Sequence, residues 1–422
     1  MIDLDVSIEY KGQMIFVGKI TGTNYIDATF AYDKEYLDDE NTSAISISLP
    51  LRKESFSPKE TKSFFSSLLP EGFVKGAVAN YLHVDEDDYL SMLSILGKEC
   101  IGAIKISDTG EKGLDQKFSY KKLTKADIKK IAIEGVKKSS DYVVASRMSL
   151  AGASAKVGLY YDEKKAKWYL PCDGAPSSHI VKQSHVRYED IVINEQLCLL
   201  TAKRLGIKTA QSIIIDSDEK KLLFASRRFD RAIDESCKSV DGLLVPRRLH
   251  QEDFAQALGI SSENKYEKMN DRYLPLMFDV IKKYSFAPIE DALLLWDMLI
   301  FNYLIGNTDC HLKNFSLTYT DSLKSPRLSP AYDVISTVIY KEISREMSFA
   351  INDKRDIGKI TRDDFTSQSK IVGIGKTVAL EHFDRLSNNF ESALNASVKE
   401  LTSLGFKDAK TIKNRIIKER KK

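Results

Sequence analysis

The spacing of the apolar residues changes along the chain, and this change limits the folds that the sequence can adopt. Near the N-terminus, segments such as VSIEY, MIFVGKI and AISISL alternate apolar and polar residues, which is typical of half-buried strands. From about residue 236 onward, apolar residues recur at helical spacing instead. A chain of 422 residues is also too long for one compact core. The pattern predicts an α+β protein of two or three domains, with a β-rich N-terminal region and a C-terminal region in which helices dominate.

Composition and local pattern place the predicted domain boundaries. A polar segment rich in Gly and Lys begins at residue 108 and ends an N-terminal α/β subdomain, residues 1–107. Residues 108–235 form a second subdomain, and residues 236–422 the helical domain. The helices predicted along the chain are 58–81, 85–96, 190–205, 251–258, 274–284, 289–305, 376–386 and 387–404. A hairpin over residues 159–170 and a strand at 179–182 are predicted between them.

Composition excludes several classes of protein. The formal net charge of +3 gives no case for a nucleic-acid binder, and the basic run 407–422 is interpreted as a solvated last helix in preference to a nucleic-acid contact. Five scattered cysteines without a C-x-x-C pair indicate reduced thiols. The most apolar window, residues 292–305, is too short and too polar to span a bilayer. The first residues lack a signal-peptide pattern. The sequence therefore predicts a soluble, cytoplasmic protein without a membrane partner.

The segment GNTDCHLKNFS, residues 306–316, contains the candidate catalytic and metal-binding residues. Asp309 and Asn314 are five residues apart, which is the spacing of the base and the metal ligand in the protein-kinase loop H-R-D-x-x-x-x-N. A kinase needs a carboxylate for the acceptor hydroxyl and an amide oxygen for Mg²⁺. Asp309, Cys310 and His311 could instead contribute to a zinc site, but alternate residues of one loop give at most part of one. We favour a loop-supporting role for His311.

A predicted hairpin after this segment returns Asp333 to the neighbourhood of Asn314. An aspartate at that place fits the second metal-binding acid of a kinase, although the DFG sequence is absent. Asp333 read alone is as well explained as a turn or capping residue. Its pairing with the 306–316 segment favours the metal site.

Upstream residues supply the other parts of a phosphate site. Small residues in MSLAGASAKVG, 148–158, let backbone N–H groups approach phosphate oxygens, although the string matches no standard phosphate motif. Lys182 lies within a predicted strand and Glu195 on the next helix, which is the arrangement of the kinase lysine and its glutamate partner. The alternative is that both residues are ordinary surface charges.

Together these residues resemble the HipA family, the serine/threonine kinase toxins of bacterial toxin–antitoxin modules. The strings that carry the resemblance, in family order, are FFSSLLPEG (64–72), LGKECIGA (96–103), SLAGA (149–153), RFDR (228–231), HQEDF (250–254), GNTDCHLKNFS (306–316) and PAYDVIS (330–336). Their spread implies that the resemblance covers nearly the whole chain.

The resemblance implies a two-lobed protein-kinase-like fold that binds ATP and Mg²⁺, with a β-rich N-terminal region and an all-helical C-terminal domain. Asp309 is then the catalytic base, with Asn314 and Asp333 as Mg²⁺ ligands and Glu195 as the ion-pair partner of Lys182. The implied ATP-site residues are Ala151, Gly152, Ala153, Ser154, Ala155, Lys156, Lys182, Arg227, Phe229 and His311. Ser149 matches the serine at which family members autophosphorylate, which switches the kinase off because a dianionic group there repels ATP phosphates.

The resemblance also implies partners. The usual partner in the family is a helix-turn-helix antitoxin that contacts DNA, and the protein targets include aminoacyl-tRNA synthetases. This chain departs from the family pattern at Ser154, where a Gln is frequent, and at Arg227, where a Glu is common. Because of these departures and the basic tail, the alternative function is a catalytically weak, pseudokinase-like regulator that acts through protein or DNA contacts. A small-molecule phosphotransferase would use the same metal and lysine roles.

Overall fold

The computed structural model describes residues 1–110, 118–134, 147–150, 156–184, 188, 190–217, 221–269, 271–320 and 323–420. The chain divides into two compact units, each assembled from separate stretches of sequence. The first unit comprises Met1–Gln183, Ile215–Ser262 and Leu317–Pro326, and the second comprises Ser184–Ile214, Glu263–Ser316 and Arg327–Lys422. The predicted boundaries after residues 107 and 235 follow chain order instead, and they stay predictions.

The first unit begins with an antiparallel sheet of four strands. Their spatial order is Thr29–Tyr32, Gln13–Gly22, Ile2–Tyr10 and Ile104–Asp108. The prediction of strands at VSIEY and MIFVGKI is confirmed by Ile2–Tyr10 and Gln13–Gly22. Every second residue of the first strand, from Leu4 to Ile8, enters the core. The prediction of a strand at AISISL is wrong. It forms only an isolated bridge between Ser46 and Leu49, and Ile45 and Leu49 enter the core without strand pairing.

Helices pack against this sheet through buried aromatic residues such as Phe30, Phe56 and Phe65. The helices are Lys34–Asp38, Pro58–Phe65, Gly72–Leu82 and Tyr89–Leu96. The single helix predicted over 58–81 is two helices, separated by the 3₁₀ turn Ser66–Leu68 and by Pro70. Proline lacks the N–H that a continuing helix needs, which explains the break.

The first unit also contains most of a second, six-stranded sheet. The spatial order is Ser119–Lys122, Lys167–Cys172, Lys156–Asp162, His179–Gln183, Leu222–Arg227 and Ser212–Asp216. This order confirms the predicted hairpin over 159–170 and the strand at 179–182. Helical residues 125–134 cover one face and bury Ile128 and Ile131 against Leu159 and Val181.

The second unit is mainly helical. Its helices are Ile191–Arg204, Tyr273–Tyr284, Pro288–Ile305, Arg362–Ile371, Lys376–Ser403 and Ala409–Arg420. The two helices predicted at 376–386 and 387–404 are one, because no Gly or Pro interrupts the apolar spacing between them. No helix among the described residues combines the length and apolarity needed to span a bilayer.

The hairpin predicted after the 306–316 segment is confirmed, because Ser316–Tyr319 pairs with Pro326–Leu328. The prediction that the C-terminal domain, residues 236–422, is all-helical is wrong. Strands in this region are Ser239–Val240, Leu243–Leu244, Arg247–Arg248, Gln251–Asp253, Ser316–Tyr319, Pro326–Leu328, Glu346–Ile351 and Lys354–Asp356. The predicted helix 251–258 forms only at Phe254–Ala257, because Gln251–Asp253 is a strand. Asp253 then caps the first turn of the helix in a capping box with Gln256. These strands are short, and short strands leave little periodic signal in a sequence.

Candidate functional site

The helix Pro288–Ile305 ends where the candidate catalytic loop begins. Proline at the first position and buried Trp296 and Leu299 fix this helix in the second unit. It stops at Gly306, which has φ +74° and donates its N–H to the carbonyls of Asn302 and Tyr303. A Cβ at this position would lie 2.4 Å from Cγ2 of Val338. Only glycine satisfies both the left-handed backbone and the close approach.

Several hydrogen bonds hold the first residues of the loop. The Gly306 carbonyl accepts from the backbone N–H groups of Thr337, at 2.9 Å, and Val338, at 3.1 Å. Thr308 donates its N–H to Oγ1 of Thr337 at 2.7 Å, and its carbonyl accepts from Oγ of Ser348 at 2.8 Å. The loop therefore has a defined backbone conformation before any ligand binds.

Asp309 and Asn314 are directly joined within this loop. Nδ2 of Asn314 donates to the Asp309 carbonyl at 2.7 Å, and the backbone N–H of Asp309 donates to Oδ1 of Asn307 at 3.1 Å. The 3₁₀ turn Leu312–Asn314 makes the first bond possible by folding the chain back. Because the amide nitrogen of Asn314 is engaged, its oxygen is oriented as an acceptor.

Asp333 lies on the same small cleft as Asn314, together with Asn307 and Tyr332. Its backbone has φ +54°, a conformation that is uncommon for a residue other than glycine and that occurs often at functional sites. Hydrogen bonds fix the chain on both sides of Asp333. The N–H of Ala331 donates to the carbonyl of Lys208, and the backbone of Ser336 bonds to the side-chain amide of Asn194.

Tyr266 is a site residue that the sequence prediction missed. Its hydroxyl donates to Oδ1 of Asp309 at 2.6 Å, and its ring meets the ring of His311 edge-on, with centroids 5.1 Å apart. A tyrosine in a polar stretch between two helices carries no sequence signal of this contact.

The two residues between Asp309 and Leu312 are buried. Cys310 is 1% exposed and His311 is 7% exposed. Burial raises the pKa of the Cys310 thiol to about 12. Among the described residues, no group of three or more His, Cys, Asp or Glu side chains is placed to hold a metal ion. The contact of His311 with Tyr266 agrees with a supporting role in the loop.

The two predicted phosphate-site lysines lie in the sheet of the first unit. Lys156 and Lys182 are direct cross-strand partners on neighbouring antiparallel strands, so their side chains share one face. The ammonium group of Lys182 also lies 5.5 Å from the ring centroid of Phe224. Residues 151–155, predicted as the phosphate loop, lie outside the described residues.

The remaining predicted site residues are spread over both units. Arg227 lies in the first unit and forms an ion pair of 3.2 Å with Glu163, and half-buried Phe229 lies two residues further along. Glu195 is buried on the helix Ile191–Arg204 of the second unit, next to Asn194. Because Lys182 belongs to the first unit, the predicted pairing of Lys182 with Glu195 stays a prediction.

Ser149 is fully buried in the first unit. Its hydroxyl donates to the Leu68 carbonyl at 2.5 Å, and its N–H donates to the Glu99 carbonyl at 2.9 Å. These bonds join three of the strings that carry the family resemblance, at residues 64–72, 96–103 and 149–153.

Comparison with protein families gives two matches that together cover most of the chain. The HipA N-terminal domain matches residues 8–107, and the HipA-like C-terminal domain matches residues 148–395. The chain belongs to the HipA family. The family predicted from the sequence strings is thereby confirmed.

Individual HipA relatives agree with this assignment. “Putative kinase Y4mE” of Sinorhizobium fredii is 32% identical over 396 residues, which covers 92% of this chain and 90% of the relative. The “Serine/threonine-protein kinase toxin HipA” of Shewanella oneidensis is 26% identical and covers 87% of this chain and 83% of that protein. A chain of the solved complex of Shewanella oneidensis MR-1 HipA, HipB and operator DNA superposes with a TM-score of 0.80 at 21% identity. The match covers 98% of this chain and 96% of that chain, and it shows that the HipA fold is shared.

Proposed function

We propose that this chain is an ATP- and Mg²⁺-dependent serine/threonine protein kinase and the toxin of a toxin–antitoxin module. The observation that carries the proposal is the 306–316 loop. There Asp309 and Asn314 are joined by a 2.7 Å hydrogen bond, and Asp333 lies on the same cleft as Asn314. This set contains the carboxylate and the two oxygen ligands that phosphoryl transfer needs.

Each residue has a defined role in this proposal. Asp309 accepts the proton of the acceptor hydroxyl as the hydroxyl oxygen bonds to the γ-phosphorus and the bond to ADP breaks. Asn314 and Asp333 would hold Mg²⁺, a hard cation that prefers carboxylate and carbonyl oxygens. The bound ion would supply neutralisation of phosphate charge.

Two lysines support a polyanionic ligand in the first unit. Lys156 and Lys182 are cross-strand partners, so two positively charged side chains share one face of the sheet. Opposite charges attract, and the phosphates of ATP are anionic. We therefore assign both lysines to the phosphates of ATP.

The role of Asp309 is tested by the variant Asp309→Asn. Asp279→Asn is the matched control, because Asp279 is exposed on the helix Tyr273–Tyr284 of the same unit. Transfer of ³²P from labelled ATP to the chain should fall by at least about a hundredfold in Asp309→Asn and stay unchanged in the control. Removal of Mg²⁺ by EDTA should abolish transfer, and added Mg²⁺ should restore it. A wild-type chain that transfers no phosphate from Mg-ATP would contradict the proposal.

Autophosphorylation at Ser149 belongs to the same proposal. Because the hydroxyl is buried and bonded to Leu68, the segment 147–150 must be displaced before Ser149 can receive phosphate. We expect mass spectrometry to find phosphate at Ser149 after incubation with Mg-ATP, and activity towards other proteins to fall as it accumulates. Ser149→Ala should keep that activity for longer than the wild type. Loss of activity at equal rates in both proteins would contradict this role.

The proposed partner is a helix-turn-helix antitoxin that contacts DNA. The support is the relative named a kinase toxin and the solved complex that contains HipA, HipB and operator DNA. Expression of the wild type should arrest growth, and expression of Asp309→Asn should not. Phosphoproteomics of the two cultures tests whether the target is an aminoacyl-tRNA synthetase. Growth arrest of equal strength with both proteins would refute a kinase toxin.

A further inference from the structure

The hydroxyl of Tyr266 makes a hydrogen bond that its exposure does not require. Tyr266 is 41% exposed, so water could satisfy its hydroxyl. The hydroxyl instead donates to Oδ1 of Asp309 at 2.6 Å, a short distance typical of a bond to a charged acceptor. The partner is the carboxylate that the proposed function uses as its base.

Backbone bonds on both sides of Tyr266 hold it in this place. The Lys265 carbonyl accepts from the N–H of Leu312 in the candidate loop, at 3.3 Å. The N–H of Glu267 donates to the carbonyl of Ser348 at 3.1 Å, and Ser348 itself bonds to Thr308. The segment 265–267 therefore lies between the loop and the strand Glu346–Ile351, bonded to both.

The carboxylate of Glu267 fixes the same segment from inside the second unit. Glu267 is 4% exposed and accepts from the N–H groups of Tyr273, at 3.1 Å, and Ala350, at 3.2 Å. Burial raises its pKa despite these bonds and the nearby charge of Arg355. A buried acid with two backbone donors is held firmly, so the main chain beside Tyr266 has little freedom.

The ring of Tyr266 is restrained as well. It meets the buried ring of His311 edge-on, at 85° between the planes. Rotation of the tyrosine ring away from Asp309 would lose this contact and the hydrogen bond together.

We propose that Tyr266 is a positioning residue for Asp309, an inference that rests on the proposed function. The torsion that turns a carboxylate is soft, so a donor fixed at one oxygen narrows the orientations that the carboxylate can adopt. The bond from Tyr266 to Oδ1 of Asp309 restricts this rotation and directs the second oxygen towards the acceptor hydroxyl.

The test compares Tyr266→Phe with Tyr303→Phe. Tyr303 lies in the same unit, and its hydroxyl donates to the Ile360 carbonyl at 2.9 Å, so both variants lose one hydroxyl and one hydrogen bond. The readout is ³²P transfer from ATP to the chain itself, over a range of Mg-ATP concentrations. Tyr266→Phe should lower the rate at saturating Mg-ATP about tenfold without changing the half-saturating concentration, because the hydroxyl positions the base and does not bind ATP. Tyr303→Phe should match the wild type in both measurements.

Two outcomes would overturn the role of Tyr266. An unchanged rate in Tyr266→Phe would make the bond incidental, and a faster rate would make Tyr266 an inhibitor that occupies the place of the acceptor hydroxyl. Failure of the proposed function looks different, because the wild type itself would then transfer no phosphate.

Discussion

At the scale of single residues, Gly306 shows how one position constrains the site. Its φ of +74° favours glycine, and Val338 leaves no room for a Cβ. Asp309 follows three residues later, so a shift of this backbone moves its carboxylate.

We expect Gly306→Ala to destabilise the chain and to slow phosphoryl transfer. The matched control is Gly373→Ala, since Gly373 has φ +78° in the same unit, but a Cβ added there would meet nothing within 4 Å. Both substitutions carry the left-handed backbone cost of about 1 kcal/mol, and only Gly306→Ala adds the clash with Val338. Urea unfolding should therefore show a larger loss for Gly306→Ala, by about 1–3 kcal/mol. Equal losses in the two variants would contradict the clash.

The residue scale also shows which site contacts a sequence can predict. The spacing of Asp309 and Asn314 was a usable signal because a single 3₁₀ turn joins them. Tyr266 precedes Asp309 by 43 residues, and its hydroxyl could serve many roles. Its contact depends on backbone bonds to the loop and to the strand Glu346–Ile351, which no local pattern encodes.

At the scale of elements, a buried ionic cluster joins distant segments of the first unit. The cluster consists of Glu9, Glu99, Arg228, Asp230, Arg231 and Arg248. Burial alone would raise the pKa of the Glu99 carboxyl, but the three surrounding guanidinium groups hold it below its usual value. The backbone of Glu99 bonds to Arg147 and Ser149, so the cluster anchors the segment that leads to the predicted phosphate loop.

We expect Glu99→Gln to destabilise the first unit strongly. The substitution leaves three buried arginines with two carboxylates, and removal of one partner from a buried ionic group costs about 3–5 kcal/mol. Glu163→Gln is the control, because its ion pair with Arg227 is exposed and contributes less than about 1 kcal/mol. Urea unfolding measures both changes. A loss for Glu99→Gln as small as that of the control would show that the cluster does not stabilise the fold.

The elements themselves were predictable to different degrees. The strands Ile2–Tyr10 and Gln13–Gly22 and the helix Pro288–Ile305 are long enough to show their period in the sequence. The strand Gln251–Asp253 has three residues, and its pairing with Ser316–Tyr319 decides its conformation. The segment AISISL alternates like a strand, yet tertiary packing buries Ile45 and Leu49 without one.

At the scale of the whole molecule, stability should depend on pH through His179. Burial, reinforced by the charge of Arg227, lowers the pKa of His179 to about 4. Between pH 4 and pH 6.5 the unfolded chain binds a proton that the folded chain does not. The contribution of His179 to the free energy of unfolding is therefore fully present above about pH 6.5, and it is lost as the pH falls towards about 4.

The variant His179→Gln isolates this effect. The free energy of unfolding of the wild type should fall from about pH 7 to about pH 5 by about 2 kcal/mol more than that of the variant. His83→Gln serves as the control, because it removes a histidine that is exposed. Parallel pH profiles for wild type and His179→Gln would exclude a contribution from His179.

The sequence by itself determined the features that depend on neighbours within a few residues. These are the periods of the long strands and helices, the glycine at the end of the helix before the site, the Asp309–Asn314 spacing, and the ordered strings that identify the HipA family. Tertiary structure alone decided which distant residues meet, such as Tyr266 with Asp309, Glu99 with Arg228, and Asn194 with Ser336. It also decided that each compact unit draws on separate stretches of the chain. The physical reason is that helix capping, turns and the hydrophobic period depend on residues that are close in the sequence. Burial and long-range hydrogen bonds depend on how distant segments pack, and the distance between two residues along the chain does not reveal this packing.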